Sequence, residues 1–323
     1  MDLEKGVSGG APAINGRGGV AQGDTVARAL RKSTERQQVK TCYNLYMSEI
    51  QKAQSWQDCD TDIKEFVNEL VAKVHSELGD NLVGIYLHGS LAMGGYYRPK
   101  SDIDVLIVVN DKLADSERKS FAQLVAKHAE ARPTTGNVEL SVILSATAKA
   151  IPVPIPFEVH YSSEWHDKIL SDDIDYTKNK TDIDLQSHLT YVVQRGICLY
   201  GKPINEVFGD INWQIFMEGV LDDFNWIIED ENILETPFYG VLNMCRVLQL
   251  AQEDKHLAHS KDEGGEWALQ NLPEQFHYTI QQALDAYHSP KQVDESQRRT
   301  NGETWDKEAL LALRDFARSK YEL

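Results

Sequence analysis

Apolar residues return every three or four positions through "DTDIKEFVNELVAKVHSELGD" (residues 60–80), so that Ile63, Phe66, Val67, Leu70, Val71, Val74 and Leu78 share one face. An Asp/Thr start and a Gly79-Asp80 stop bound the helix this predicts. The period then changes. "LVGIYLHGS" and "SDIDVLIVV" are short β-branched runs joined by a Gly-rich connection, which reads as strand, turn, strand. "LADSERKSFAQLVAKHAEAR" is an amphipathic helix crossing back, and "NVELSVIL" a third strand. "IPVPIPFEVHYSS", with Pro at 152, 154 and 156, suits an extended edge segment. From about residue 166 the pattern is helical, in "IDLQSHLTYVVQRGICLYG", "FYGVLNMCRVLQLAQED", "GEWALQNL" and "KEALLALRDFARSKY". Residues 1–25 are Gly-rich and unpatterned and are expected to be a disordered leader. A further helical stretch is expected in "VARALRKSTERQQVKTCYNLYMSEIQKA", and residues 291–307 read as an exposed loop. The expected division is a leader (1–25), a sheet-containing domain (26–165) and a helical domain (166–323).

Two carboxylates interrupt the second strand. Asp102 and Asp104 stand two positions apart, so a strand points both to one face. Side by side they repel and raise a pKa unless a cation lies between them. Hard oxygen ligands at this reach suit Mg²⁺, which keeps waters and is completed by substrate phosphates. Upstream, the Gly89-Ser90 turn offers N–H groups and a hydroxyl to a phosphate, and Ser101 adds another donor. In "GNVELSVIL", Glu139 alternates with Val138 and Leu140 and faces away from their apolar side. If that strand lies beside residues 102–109, Glu139 stands near the aspartates and can serve as general base on an attacking hydroxyl. The set then performs nucleotidyl transfer: a hydroxyl attacks the α-phosphorus of a triphosphate and pyrophosphate leaves.

Composition narrows the partner. The 323 residues carry 50 acidic against 33 basic side chains, a net charge of −17. Such a surface repels phosphate backbones and favours a cationic small molecule, so no nucleic-acid partner is expected. No apolar run approaches the roughly 20 residues of a membrane helix, so no membrane partner is expected either. Four cysteines at unrelated spacings read as reduced thiols of a cytoplasmic protein. His256 and His259 lack a zinc-site spacing, and there is no P-loop, GxSxG or GxGxxG.

"HGSLAMGGYYRPKSDIDVLIVV" resembles the GS…SDID segment of the nucleotidyltransferase superfamily that includes DNA polymerase β. More narrowly, the chain resembles the adenylyltransferases acting on streptomycin and spectinomycin. The likeness runs through "VELSVIL", "FEVHYSSEW", "NMCRVL", "SKDEGGEWALQNLP" and "ALDAY", over roughly residues 62–290, leaving out the leader and 291–307. It implies an α+β fold: an N-terminal nucleotidyltransferase domain with a small mixed sheet and flanking helices, then a C-terminal α-helical bundle. It implies Asp102 and Asp104 as Mg²⁺ ligands, Glu139 as base, and Ser90, Ser101, Arg246, Lys261 and Tyr287 as contacts to ATP. Trp165, Trp226, Glu231 and Glu235 match the family's antibiotic-binding positions, although both acids are Glu where the family has Asp. The implied activity is transfer of AMP to an antibiotic hydroxyl by a cytoplasmic monomer. Transfer to a protein or another metabolite, and a non-catalytic nucleotide-binding module, are the alternatives.

Overall fold

The computed structural model describes residues 51–321, with the Glu295 side chain excepted. The expected leader and most of the helix expected over 26–53 lie outside the described residues.

Helix α1 (Thr61–Leu78) forms where the apolar stripe predicts it and buries Ile63, Phe66, Val67, Leu70 and Val74. Strand β1 (Leu82–His88) leads through a one-turn helix α2 (Gly89–Met93) to β2 (Ile103–Val109). Helix α3 (Asp115–Ala129) crosses to β3 (Val138–Leu144). The chain between 151 and 182 adds short strands β4 (Ile155–Phe157), β5 (Val159–Tyr161) and β6 (Lys180–Asp182). Helix α4 (Leu185–Arg195) is followed by β7 (Ile197–Gly201). Helices α5 (Trp213–Ile228), α6 (Pro237–Gln252), α7 (Lys261–Asn271), α8 (His277–His288) and α9 (Lys307–Tyr321) complete the fold.

The main sheet has the order β5-β3-β2-β1-β7, with β2 and β3 parallel and the other pairs antiparallel. Its period-two alternation separates two cores. Ile85, Leu87, Val105, Ile107, Leu140 and Val142 pack with α1 and α3. Tyr86, Leu106, Val108 and Ile143 pack with Leu185, Leu189 and Val192 of α4. Asp104 and Glu139 continue this second face, at the end where its apolar stripe stops. A third core, built from α5 to α9, includes Phe216, Phe224, Leu242, Met244, Ile280 and Leu313.

Strand β7 differs from the helical pattern expected over 183–201. The helix ends at Gly196, and Ile197–Gly201 pairs along the outer edge of β1, whose N–H and C=O groups would otherwise stay unpaired. The sheet therefore draws a strand from beyond residue 165. The 291–307 stretch is less exposed than expected: Asn301 is fully buried and receives the Lys100 ammonium. Among the described residues, no helix is long and apolar enough to cross a membrane.

Candidate active site

Ser90, Ser101, Asp102, Asp104, Glu139, Arg246, Lys261 and Tyr287 all line one open cleft of about 260 Å³. The sheet supplies the acids. Strands β2 and β3 pair in register, with Asp104 opposite Glu139, so both carboxylates project from the same face of adjacent strands. Asp102 lies just before β2, where its Oδ1 accepts a hydrogen bond from Asn137 N at 2.6 Å. Backbone at the end of β1 passes against Asp104. A Cβ on Gly89, whose φ is +65°, would fall 1.8 Å from Asp104 Oδ2, so only glycine fits this turn.

The helices supply the cations. Ser260 caps α7 by accepting from Glu263 N at 3.1 Å, while Glu263 Oε2 accepts from Ser260 N at 2.8 Å. This box sets Lys261 as the first residue of the helix. Gly264, one turn on, lets α7 pack directly on α6: a Cβ there would lie 2.6 Å from the Arg246 backbone. Lys261 and Arg246 are thereby brought together in the wall of the cleft. Arg246 donates through Nη1 to Tyr191 Oη at 2.8 Å, while its Nε is buried without a partner. Lys261 Nζ lies 4.2 Å above the Tyr239 ring. Tyr287 donates to Gly95 O at 3.2 Å, and its hydroxyl is 3.0 Å from Ser101 Oγ, which also accepts from Tyr97 N. Tyr287 and Ser101 thus hold the 95–101 loop as well as lining the cleft.

Electrostatics show what the cleft lacks. Burial pushes the Asp104 carboxyl up, and the charges of Glu139 and Asp102 push it further. Glu139 is raised by burial and then by Asp102 and Asp184. Lys261 is held down by burial and by Arg246. Asp102 pairs with Arg298 at 3.0 Å, and Lys261 partly offsets Asp104 and Glu139, yet those two carboxyls stay raised and the ammonium stays lowered. A divalent metal carrying a polyphosphate fits both needs. Among the described residues no group of three or more His, Cys, Asp or Glu side chains is gathered closely enough to hold an ion alone. Two carboxylates completed by substrate oxygens are, however, the ligand set Mg²⁺ commonly uses.

The four positions marked for the acceptor lie elsewhere. Trp165 lines a separate small crevice, under Lys180 Nζ at 4.4 Å from its ring. Trp226 is 40% exposed on α5. Glu231 pairs with Lys307 at 2.6 Å and Glu235 with Arg299 at 4.0 Å. Both acids thus meet cations from the 291–307 stretch, and neither lines the cleft.

Instead the cleft is completed by Asp184, His188, Asp223 and Tyr239, which the sequence reading missed. Asp184 is raised to about 6, chiefly by burial. Asp223 accepts from Tyr239 Oη and, at 3.1 Å, from Asn243 Nδ2. His188 Nε2 lies 3.7 Å from Glu139 Oε1. One signal was available: Asp223 follows Gly219 and Val220 at helical spacing, a charge on the buried face of an apolar helix.

Comparison with known proteins agrees with this fold. Residues 63–144 match the nucleotidyltransferase domain, and residues 206–308 match the C-terminal domain of aminoglycoside adenylyltransferases. The second match runs across 291–307, which the likeness read from the sequence left out. An aminoglycoside (3'') (9) adenylyltransferase of Shigella flexneri is 24% identical over 239 residues, covering 70% of this chain and 86% of that one. A spectinomycin 9-adenylyltransferase of Campylobacter jejuni is 26% identical over 241 residues, covering 70% of this chain and 87% of that one. The crystal structure of the spectinomycin adenyltransferase AAD(9) from Enterococcus faecialis, with ATP and spectinomycin, shares the fold at a TM-score of 0.64. It is 18% identical, over 80% of this chain and 99% of that one. With both domains present in one chain and in this order, the protein belongs to the aminoglycoside adenylyltransferase family of nucleotidyltransferases.

Proposed function

We propose that the cleft transfers AMP from ATP to a hydroxyl of a cationic aminocyclitol antibiotic, spectinomycin, streptomycin or both, and so confers resistance. One observation supports this above all: Asp104 and Glu139 stand opposite each other on paired strands, in the cleft that also holds Arg246 and Lys261.

Asp102 and Asp104 would hold Mg²⁺, which neutralises the triphosphate and polarises its phosphoryl oxygens. Ser90 stands at the start of α2, where its hydroxyl and backbone can receive a phosphate oxygen. Arg246 brings an unpartnered Nε–H, and Lys261 a half-buried ammonium, to the polyanion. Glu139 takes the proton from the acceptor hydroxyl. Its raised affinity for protons, caused by burial and Asp102, makes it a competent base near neutral pH. The hydroxyl oxygen then bonds to the α-phosphorus, the bond to the β-phosphate oxygen breaks, and pyrophosphate departs.

The same cleft favours a cationic acceptor. Asp184 and Asp223 line the cleft, and a carboxylate pairs with an ammonium or guanidinium group. Glu231, Glu235, Trp226 and Trp165 are not needed for that recognition. We further propose a monomer with the nucleotidyltransferase and helical portions facing across the cleft, acting in the cytoplasm where ATP is supplied. No role for nucleic acid or a membrane is proposed.

The test is mass spectrometry of spectinomycin and streptomycin, each incubated with the protein, ATP and Mg²⁺. Gain of one AMP on either drug supports the reading. Label on protein only, or no transfer at all, would contradict it.

A further inference from the structure

Beside the catalytic cleft, and sharing Lys100 with it, lies a second cavity of about 330 Å³. Its polar lining is Lys100, Arg132, Arg298, Thr134, Thr135 and Glu130, so three cations face one carboxylate in a chain whose net charge is −17. Arg298 comes from the 291–307 stretch, and this stretch is built against the loop that carries Asp102. Lys100 Nζ donates to Lys291 O at 2.6 Å and to Asn301 Oδ1, and Lys291 Nζ donates to Asn301 O at 3.3 Å.

The cations of this cavity are incompletely matched. Arg132 donates through Nη1 to Ala129 O at 3.1 Å, but its Nε is buried with no partner. Leaving such a donor unpaired is unfavourable. Arg298 Nη2 donates to Asp102 Oδ1 at 3.0 Å, so one guanidinium borders both the cavity and a carboxylate of the catalytic cleft.

We propose that this cavity is an anion site of the polyphosphate class, with Arg132, Arg298 and Lys100 as its ligands. Guanidinium groups bind phosphate oxygens through paired N–H donors, and an anion would satisfy the Arg132 Nε–H while relieving the mutual repulsion of the cations. Two sources share this chemistry: released pyrophosphate and the phosphate tail of a nucleotide. The choice of pyrophosphate as probe rests on the proposed AMP transfer, but binding measured without ATP or metal does not.

The experiment is calorimetric titration of pyrophosphate into the full chain at low salt, without metal or nucleotide. Wild-type protein should bind it, with affinity falling as salt is raised. Arg132→Gln and Arg298→Gln should each weaken binding at least tenfold, while Lys149→Ala, an exposed cation that lines neither cavity, should change it less than threefold. Thermal melts identify any variant that fails to fold, and Arg132→Lys, which keeps charge but loses the planar fork, should then fall between wild type and Arg132→Gln. Metal-free ATP separates the sources. If its affinity also falls in Arg132→Gln, the site holds a nucleotide tail; if only pyrophosphate weakens, it holds the released product. Absence of pyrophosphate binding, or equal binding by wild type and by folded Arg132→Gln and Arg298→Gln, would overturn the site.

Discussion

The nucleotide end of the cleft and the positions marked for the acceptor carried the same kind of sequence signal, yet the chain uses them differently. Asp104 and Glu139 are held by strand register, Asp102 by the Asn137 N–H just before β2, and Arg246 and Lys261 by a glycine-mediated helix contact. These devices fix a side chain through backbone geometry that a short motif encodes. Trp226, Glu231 and Glu235 instead lie at and beyond the end of α5, around a short 3₁₀ turn. Their orientation depends on what packs over that turn, and here Lys307 and Arg299 do. Residue identity carries over between relatives most safely where register, rather than a loop, sets direction.

The comparison can be broken at either end. At the register-held end, Glu139→Gln should lower AMP transfer by about 10²- to 10⁴-fold, the usual contribution of a general base, with no loss of thermal stability. Steady-state rates alongside a melt check both parts. Arg246→Ala and Lys261→Ala should raise the KM for ATP by about 100-fold, a loss expected for buried charge-assisted contacts. Asp223→Asn should raise the KM for a cationic antibiotic by about tenfold, because it removes a carboxylate from the cleft wall.

Protonation offers a test independent of turnover. Asp104 and Glu139 are raised by burial and by neighbouring carboxylates to about 8. The folded chain therefore binds more protons than the unfolded chain from the ordinary carboxylate range up to about 8, and its stability should fall as pH rises through that window. Melts without metal should show the decline. Asp104→Asn should flatten it and raise Tm by a few degrees at pH 8. The smallest effects belong to the loop end: Glu231→Gln, Glu235→Gln and Trp226→Ala should each change antibiotic KM by less than about twofold, as exposed substitutions do. A tenfold rise from any of them would return the acceptor to that turn.

Much of the fold was legible because periodicity was clean. The stripe from Ile63 to Leu78 predicted α1, and alternation in "VELSVIL" put Glu139 on the face opposite Val138 and Leu140. Strand β7 was hidden because five residues after a glycine look like the tail of a helix, and only the unpaired edge of β1 gives them a role. Asp184 and Asp223 were hidden for a different reason. Asp184 is the N-cap residue of α4 and reads as an ordinary polar helix start. Asp223, despite its helical spacing from Gly219 and Val220, gains its meaning from the cleft that residues distant in sequence build around it. The 291–307 stretch reads as polar and loop-like, yet its placement of Arg298 on Asp102 and Asn301 under Lys100 depends on contacts about 200 positions apart.

The central claim is that Asp102 and Asp104 are tolerated together because a divalent cation belongs with them. Manganese, followed by electron paramagnetic resonance in the presence of ATP, reads that site directly without turnover of an antibiotic. The account predicts that wild-type protein binds Mn²⁺ and that Asp104→Asn weakens it at least tenfold. Equal Mn²⁺ affinity in wild type and in folded Asp104→Asn would contradict it.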